Sequence, residues 1–269
     1  MFSKNKYKIG IIGIGYVGGA LRNWFEKEEY PLFLYDKYKK IGSIENVNKA
    51  DIVFICVPTP FYKKGGYDDF AVSESLKNLS GKKTVIIKST ILPGSTEKFQ
   101  KKFPQHKILF NPEFLRAKTA KKDFLNPKRQ IIGVTKKSKS MAQKILGILP
   151  KAPYKKIILS KEAEMVKYFS NAFLASKVVF ANQIYDLCQA LGIDYSIVKE
   201  VAGRDPRISH SHLDVFRDGY RGYKGGCFPK DVNSLLQLAK KLNVDFDFLK
   251  TAKKINEDLI NKNEKQDEK

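Results

Sequence analysis

The sequence predicts an α/β fold: a Rossmann-like, doubly wound parallel sheet followed by an all-helical domain built on one long helix. Three observations carry this reading. Seven short, β-branched runs alternate with helical segments over residues 7–159, a Gly-x-Gly-x-x-Gly turn joins the first run to the first helix, and no Gly or Pro interrupts Lys161–Ala190. Strands alternating with helices imply right-handed crossovers and a parallel sheet covered on both faces, and a long stretch without a breaker implies a single helix.

The first run, Tyr7–Gly13, reads as a buried strand and leads through the glycine turn into a helix over about Tyr16–Glu28. A short strand, Leu32–Tyr35, ends on Asp36, and further strands are expected at Asp51–Val57, Lys83–Ile87, Ile108–Phe110, Gln130–Val134 and Lys156–Leu159. Near Ser160 the character changes. Ser160, Glu162 and Glu164 suit a helix start, because acids favour the positive end of the helix dipole. Residues 203–229 form a Gly-, Arg-, His- and Tyr-rich loop too polar for core, and helices follow over about Asp231–Leu242 and Phe246–Leu259. The expected organisation is a dinucleotide-binding domain over 1–159, a helical central or dimerisation domain over 160–260, and a polar, disordered tail over 261–269.

The 269 residues are 42% hydrophobic and 12% aromatic, ordinary for a globular chain, and no apolar run reaches the ~18 residues of a membrane span. Residues 1–6 run straight into the first strand, so no signal peptide is expected, and three scattered cysteines form neither a disulfide framework nor a metal-ligand spacing. A cytoplasmic protein with reduced thiols follows as the expectation. The net charge of +22 comes almost entirely from lysines spread along the chain, with only seven arginines, rather than from a clustered basic face. This points to solvated surface lysine with a mild attraction for anionic ligands, and neither a nucleic-acid nor a membrane partner is expected. His106, His210 and His212 lack a third ligand at metal spacing, so no metal is expected.

Gly13-Ile14-Gly15-Tyr16-Val17-Gly18 fits the dinucleotide fingerprint: a glycine for the tight turn, one for close approach of backbone to the pyrophosphate, and one for packing helix on strand. The phosphates would meet free N–H groups at the helix N-terminus. Asp36, at the end of the second strand, is placed to accept hydrogen bonds from ribose hydroxyls and to repel a 2′-phosphate, which favours NAD over NADP.

Four further motifs follow in order: Val57-Pro58-Thr59-Pro60, Lys88-Ser89-Thr90-Ile91-Leu92-Pro93-Gly94-Ser95-Thr96, Asn111-Pro112-Glu113-Phe114-Leu115-Arg116, and Gly225-Gly226-Cys227-Phe228-Pro229-Lys230-Asp231. With the fingerprint, they make residues 7 to about 240 resemble the UDP-glucose/GDP-mannose dehydrogenase family, most closely its UDP-glucose 6-dehydrogenase branch. The resemblance implies NAD-dependent oxidation of C6 of a nucleotide sugar, UDP-glucose to UDP-glucuronate, in two hydride transfers. It also implies a homodimer through the long helix.

The chemistry is also legible in the residues. An alcohol reaches the acid level through an aldehyde, which a thiolate captures as a thiohemiacetal; a second hydride transfer gives a thioester that water cleaves. Cys227 suits the thiolate role, in a loop after two glycines, before Pro229 at a helix N-terminus and between Lys224 and Lys230. Cys56 in an apolar strand and Cys188 on the long helix read instead as small buried hydrophobes. A lysine on a helix is ordinarily a solvated charge, but Ala163-Glu164-x-x-Lys167-x-x-x-Asn171-Ala172-Phe173 resembles the family helix whose Lys and Asn stabilise the developing oxyanion. Lys167 and Asn171, four apart, share one face.

Glu113, as general base, and Thr90 are candidates for activating the hydrolytic water, with Asp231 holding it or orienting the site. By resemblance, Tyr16, Val17, Val57, Thr59, Ser89, Thr90 and Lys230 join Gly13, Gly15, Gly18 and Asp36 at the cofactor. Glu113, Phe114, Leu115, Arg116, Lys167, Asn171, Tyr220, Tyr223 and Gly225 meet the substrate. Arg207 resembles an arginine that reaches a neighbouring subunit's sugar, or else forms a loop salt bridge.

The chain departs from the family pattern at several places. Ala117 stands where a second acid is usual, Lys224 replaces a glycine, the Asp36–Asp51 connection is short, and the family's third domain has no counterpart among these residues. Other substrates therefore stay open, GDP-mannose and other UDP-sugars among them, as does a non-catalytic NAD-binding relative.

Overall fold

The computed structural model describes residues 7–217 and 219–267. The approach to the first strand read in residues 1–6, and the last two residues of the tail, lie outside them. The chain divides into two compact units, with the boundary between Lys167 and Tyr168.

In the first unit the strands are β1 (Ile9–Ile12), β2 (Leu32–Asp36), β3 (Ile41–Gly42), β4 (Ile52–Ile55), the hairpin pair β5 (Phe61–Tyr62) and β6 (Gly66–Tyr67), β7 (Thr84–Ile87), β8 (Lys107–Phe110), β9 (Arg129–Val134) and β10 (Tyr154–Leu159). The helices are α1 (Tyr16–Lys27), α2 (Ile44–Val47), α3 (Phe70–Lys77), α4 (Ser95–Lys102), α5 (Ala120–Leu125), α6 (Ala142–Ile148) and the start of α7 (Ser160–Ala190). Eight strands form one sheet in the order β10-β9-β8-β7-β4-β1-β2-β3. Strands β1, β2, β4, β7 and β8 run parallel, in registers such as Ile9↔Ile52 and Ile55↔Ile87.

Alternation along the strands builds two apolar layers. Ile9, Ile11, Phe54, Ile86 and Leu109 face one layer with Leu21 and Phe25 of α1, Phe124 of α5 and Ile145 of α6. Ile12, Val53, Ile55, Val85, Ile87, Ile108 and Phe110 face the other with Val72 and Leu76 of α3, Phe99 of α4 and Ala163 of α7. Each such side chain, when fully buried, contributes about 1.5–3 kcal/mol of transfer free energy.

Four expectations are corrected. The sheet is mixed rather than wholly parallel: β9 meets β8 antiparallel, with Leu109↔Val134 and Phe110↔Gly133, and β3 pairs antiparallel with β2. Between β8 and β9 the described helices are a 3-10 turn and α5, six residues or ~9 Å long, in place of the full crossover helix that usually joins parallel strands. Strand β10 is not covered on both faces. It is the sheet's edge, and Lys155 and Lys156 on it are exposed, which blunts an open edge. The other two concern the tail and the segment 203–229, and fall in the second unit.

That unit holds the rest of α7, then α8 (Tyr195–Gly203), a hairpin of β11 (Phe216–Arg217) and β12 (Tyr220–Arg221), α9 (Phe228–Lys241) and α10 (Asp247–Asp267). Helix α10 thus continues through residues 261–267, which the polar composition had assigned to a disordered tail. Helix α7 is 31 residues long, roughly 46 Å. Asp194 caps α8 by accepting from Ser196 N at 2.8 Å. The segment 203–229, expected as a loop too polar for core, contributes Leu213, Val215 and Tyr223 to the interior, and Cys188, Tyr195 and Val215 cluster there.

Candidate active site

The sequence motifs of the first unit all follow the carboxyl ends of parallel strands: the fingerprint follows β1, Asp36 closes β2, and the remaining three follow β4, β7 and β8. Strand β1 has β2 on one side and β4 on the other, so the chain direction of the sheet order reverses there, where open α/β sheets bind ligands.

The glycine turn fits a dinucleotide. Gly13 has φ +88°, and a Cβ on it would lie 2.7 Å from the Cys56 carbonyl oxygen; on Gly18 a Cβ would meet the Gly13 carbonyl oxygen. At Gly15 the space is open, which leaves room for a pyrophosphate to approach the backbone. Helix α1 has no side-chain cap and no acid in its first turn, so its N-terminal N–H groups are available to phosphate. Tyr16 opens that helix 69% exposed, and Val17 packs against the core beneath it.

Asp36 is buried, and its carboxylate accepts from Ile14 N at 2.7 Å, Lys39 N at 2.9 Å and Tyr38 N at 3.0 Å. Desolvation raises its pKa, but these bonds and the Lys39 charge outweigh it and hold the carboxyl below its ordinary value. Lys39 Nζ also donates to the Ile14 carbonyl at 2.6 Å, so strand β2 and the glycine turn are joined twice.

The two next loops are fastened to each other. Ser89 Oγ donates to the Val57 carbonyl at 2.6 Å, and Thr59 Oγ1 donates to the Thr90 carbonyl at 2.7 Å. Glu113 is held on both carboxylate oxygens: Oε1 accepts from Phe114 N at 2.9 Å and Leu115 N at 3.2 Å, and Oε2 pairs with Lys88 Nζ at 2.9 Å. Lys88 is itself buried and donates to Asn111 Oδ1 at 2.7 Å. The Phe114 ring carries two cations, with the Arg129 guanidinium 3.7 Å and the Lys167 ammonium 5.9 Å from its centroid. Arg116, by contrast, is turned to Asp123 at 2.9 Å.

Glu164, on the first turns of α7, accepts from Gly94 N at 2.5 Å, Thr96 N at 2.8 Å and Thr96 Oγ1 at 2.6 Å, closing the N-terminus of α4. Burial pushes its carboxyl up to about 7 against the pull of those bonds. Cys56 is disfavoured as a nucleophile: burial pushes its thiol up to about 12, with Lys88 lowering and Glu113 raising it.

In the second unit Cys227 is the exposed cysteine, at the N-cap of α9 with Pro229 in the first turn. Its carbonyl accepts from Asp231 N at 3.0 Å. Asp231 is buried and shared: Oδ2 accepts from Asn171 Nδ2 at 2.5 Å, and Oδ1 pairs with Lys230 Nζ at 2.5 Å. Lys230, expected at the cofactor, therefore spends its ammonium on Asp231. Tyr223 is buried, and Lys224 sits over the Tyr220 ring at 5.2 Å. Gly225 takes φ +86°. Arg207 forms a bidentate pair with Asp205, 2.6 Å at the closer contact, with the arginine side chain 87% exposed. Within the single chain Arg207 thus makes a loop salt bridge.

Lys88, Arg129 and Asn256 make contacts to which sequence reasoning gave no role, and Glu164, read only as part of the helix start, ties α7 to the N-terminus of α4. Only Lys88 had a usable signal, a lysine directly after an apolar strand, where a solvated charge is out of place. Among the described residues no three His, Cys, Asp or Glu side chains group as a metal site, and no helix is long and apolar enough to cross a membrane.

A glycine-led, uncapped helix at the switch point of a mostly parallel sheet, with an acid closing the second strand, defines a dinucleotide-binding domain. The second unit adds an exposed thiol at a helix N-terminus beside a buried Asn–Asp–Lys group. Residues 35–148 match the NAD binding domain of the UDP-glucose/GDP-mannose dehydrogenase family, and residues 161–258 match its central domain.

The chain is 36% identical over 231 residues to UDP-glucose 6-dehydrogenase TuaD of Bacillus subtilis (strain 168), covering 82% of this chain and 48% of that protein. It is 30% identical over 292 residues to the putative UDP-glucose 6-dehydrogenase YtcA of the same organism, covering 93% of this chain and 67% of that one. The structure of a UDP-glucose dehydrogenase from the hyperthermophilic archaeon Pyrobaculum islandicum superposes with a TM-score of 0.85 at 27% identity, covering 96% of this chain and 70% of that one. The chain belongs to the UDP-glucose/GDP-mannose dehydrogenase family, and the cofactor of its first domain is NAD. It spans about half the length of several of the curated relatives it matches.

Proposed function

We propose that the chain oxidises C6 of a nucleotide sugar, UDP-glucose foremost, from alcohol to acid, with Cys227 as covalent nucleophile. One observation carries the reading. The exposed thiol opens α9, and one turn further that helix buries Asp231 against Asn171 of the Lys167–Asn171 turn. NAD would be held by the Gly13–Gly18 turn and by Asp36, and two molecules bound in succession would each accept one hydride, one per oxidation.

The roles of the chain's own residues are these. Cys227 Sγ, as thiolate, adds to the aldehyde carbon to form the thiohemiacetal, and the second oxidation converts this to a thioester. Lys167 and Asn171 stabilise negative charge on the carbonyl oxygen. Glu113, with Thr90, takes the proton of the water that attacks the thioester; the C–S bond then breaks, releasing the carboxylate and restoring the thiolate. Asp231 fixes the Asn171 amide and the Lys230 ammonium. Phe114, Leu115, Tyr220, Tyr223 and Gly225 are assigned to the sugar nucleotide, as are the more weakly supported Arg116 and Arg207, which the structure engages with Asp123 and Asp205.

We further assign the chain to a homodimer. Phe169, Phe173, Phe180, Leu187 and Leu191 are exposed on and just beyond α7, and at 3.6 residues per turn they fall within roughly 40° of arc. A continuous exposed apolar stripe of this kind favours a partner surface, and a second α7 is complementary to it.

The test is NADH formation with UDP-glucose, GDP-mannose and UDP-N-acetylmannosamine. UDP-glucose is expected to yield two NADH per sugar. Cys227→Ala is expected to abolish acid formation while NAD binding survives, and Cys227→Ser to accumulate a slowly hydrolysed ester, because an alkoxide is a poorer leaving group than a thiolate. Silence with all three sugars removes the dehydrogenase reading. Near-normal acid formation by Cys227→Ala removes the nucleophile assignment.

A further inference from the structure

The Cys227 loop is tied down at two points upstream of the thiol, both within the second unit. The first is Arg221, at the end of β12. Its guanidinium donates to Asn182 Oδ1 and to the Asn182 carbonyl, each at 3.0 Å, and pairs with Asp186 at 2.7 Å, all on α7.

The second tie is Asn256 on α10. Its Oδ1 accepts from Tyr223 N at 2.6 Å and its Nδ2 donates to the Tyr223 carbonyl at 3.0 Å. A planar amide offers a donor and an acceptor at the spacing of a peptide group, so Asn256 pairs with Tyr223 as a neighbouring strand would. Asn256 is only 4% exposed, inside a helix where asparagine is a poor former and costs up to about 0.7 kcal/mol relative to alanine. Helix stability therefore does not account for it.

Gly222 completes the clamp. It sits at φ +80°, and a Cβ there would lie 2.6 Å from Asn256 Oδ1. Two glycines, Gly225 and Gly226, separate the clamped segment from the thiol. A Cβ on Gly225 or Gly226 would find open space on every side. The Tyr223 ring meets Phe228 edge-on, with centroids 5.9 Å apart, so the clamped residue also touches the first turn of α9.

We propose that Asn256 is a positioning residue for Cys227: through the Tyr223 backbone it sets where the thiol stands at the start of α9. The catalytic part of this rests on the reading of Cys227 as nucleophile; the positioning itself does not. A side chain on α10 that never meets the reacting atoms thereby governs the geometry of the covalent step, where small misplacements carry large rate penalties.

The experiment compares the parent chain with Asn256→Ala and with Asn256→Asp, which keeps the acceptor but sets a carboxylate oxygen against the Tyr223 carbonyl. Three readouts are taken on folded protein: kcat with UDP-glucose, KM for NAD, and the rate of Cys227 alkylation by iodoacetamide, resolved from Cys56 and Cys188 by peptide mass. Both variants are expected to lose at least ~10-fold in kcat, to keep KM for NAD within about 2-fold, and to shift Cys227 alkylation by at least about 3-fold. Folded variants with kcat and alkylation both within about 2-fold of the parent overturn the proposal, as does failure of both to fold, which assigns Asn256 to general stability. An alkylation shift in a chain inactive on every sugar upholds the positioning and defeats the proposed function. Unchanged alkylation, with acid formation still dependent on Cys227, defeats the positioning alone.

Discussion

Lys88 Nζ lies 2.9 Å from Glu113 Oε2, with the lysine side chain 2% and the glutamate side chain 17% exposed. The two residues follow neighbouring parallel strands, β7 and β8, so the sheet register itself brings them together. Removing the cation leaves a largely buried carboxylate with two backbone N–H partners and no counter-charge. Lys88→Met is therefore expected to cost about 3–5 kcal/mol of stability, the range for breaking a buried pair. Urea denaturation measures it, and a loss under about 1 kcal/mol would show that Glu113 is solvated well enough to stand without its partner.

NAD is expected to bind far more tightly than NADP, because the Asp36 carboxylate suits ribose hydroxyls and opposes a third phosphate. Asp36→Ala narrows the gap by at least about 1 kcal/mol, the scale of a charged hydrogen bond. It also weakens NAD binding itself, because Asp36 holds Ile14 N in the glycine turn. Fluorescence titration of both cofactors decides the matter, and equal affinities in the parent chain would rule this reading out.

Glu164 gives a stability signature with pH. Its carboxyl stands at about 7 in the folded chain against an ordinary 4.5. Between those values the folded state retains a proton that the unfolded state has released, so stability falls as pH rises through the window and levels off above it. Glu164→Gln removes this titration. The stability of the parent relative to Glu164→Gln should therefore decline from about pH 5 to about pH 7.5. A difference that stays flat or rises over that span contradicts the assignment.

The α7 stripe is tested by mass in solution. The parent chain is expected at twice its chain mass, and Phe180→Glu, which places a charge amid exposed aromatic side chains, at the monomer mass. A parent that is monomeric at micromolar concentration defeats the dimer.

Affinity for UDP-glucose is expected to be weak and to fall with salt. Lysines dispersed over the surface attract the diphosphate through solvent, and that attraction is screened over ~8 Å at physiological ionic strength. Calorimetric titration at low and high salt measures this, and tight binding indifferent to salt would point to buried, specific contacts instead.

Local pattern alone determined much of this protein. The unbroken apolar runs of Ile9–Ile12, Ile52–Ile55 and Thr84–Ile87 specify strands covered on two faces, and the spacing of Gly13, Gly15 and Gly18 specifies a strand–turn–helix for a dinucleotide. The unbroken run after Ser160 specifies α7, and two glycines before Cys227 with Pro229 after it specify a thiol in the open at a helix start. Each of these signals lies within a few residues of what it determines.

Other features became visible only in the folded chain. The reversal of β9 is seen only in its pairing with β8, Leu109↔Val134, because an apolar run reads the same in either direction. Glu164 meets Thr96 across 68 residues, Asn256 meets Tyr223 across 33, and Lys88 meets Asn111 and Glu113 through the register of two strands. A buried donor or acceptor must find a partner, and in sequence an Asn on a helix looks the same whether that partner is water or a backbone far along the chain. Packing decides between them, and so only the tertiary structure decided which side chains hold Glu113 and the Cys227 loop in place.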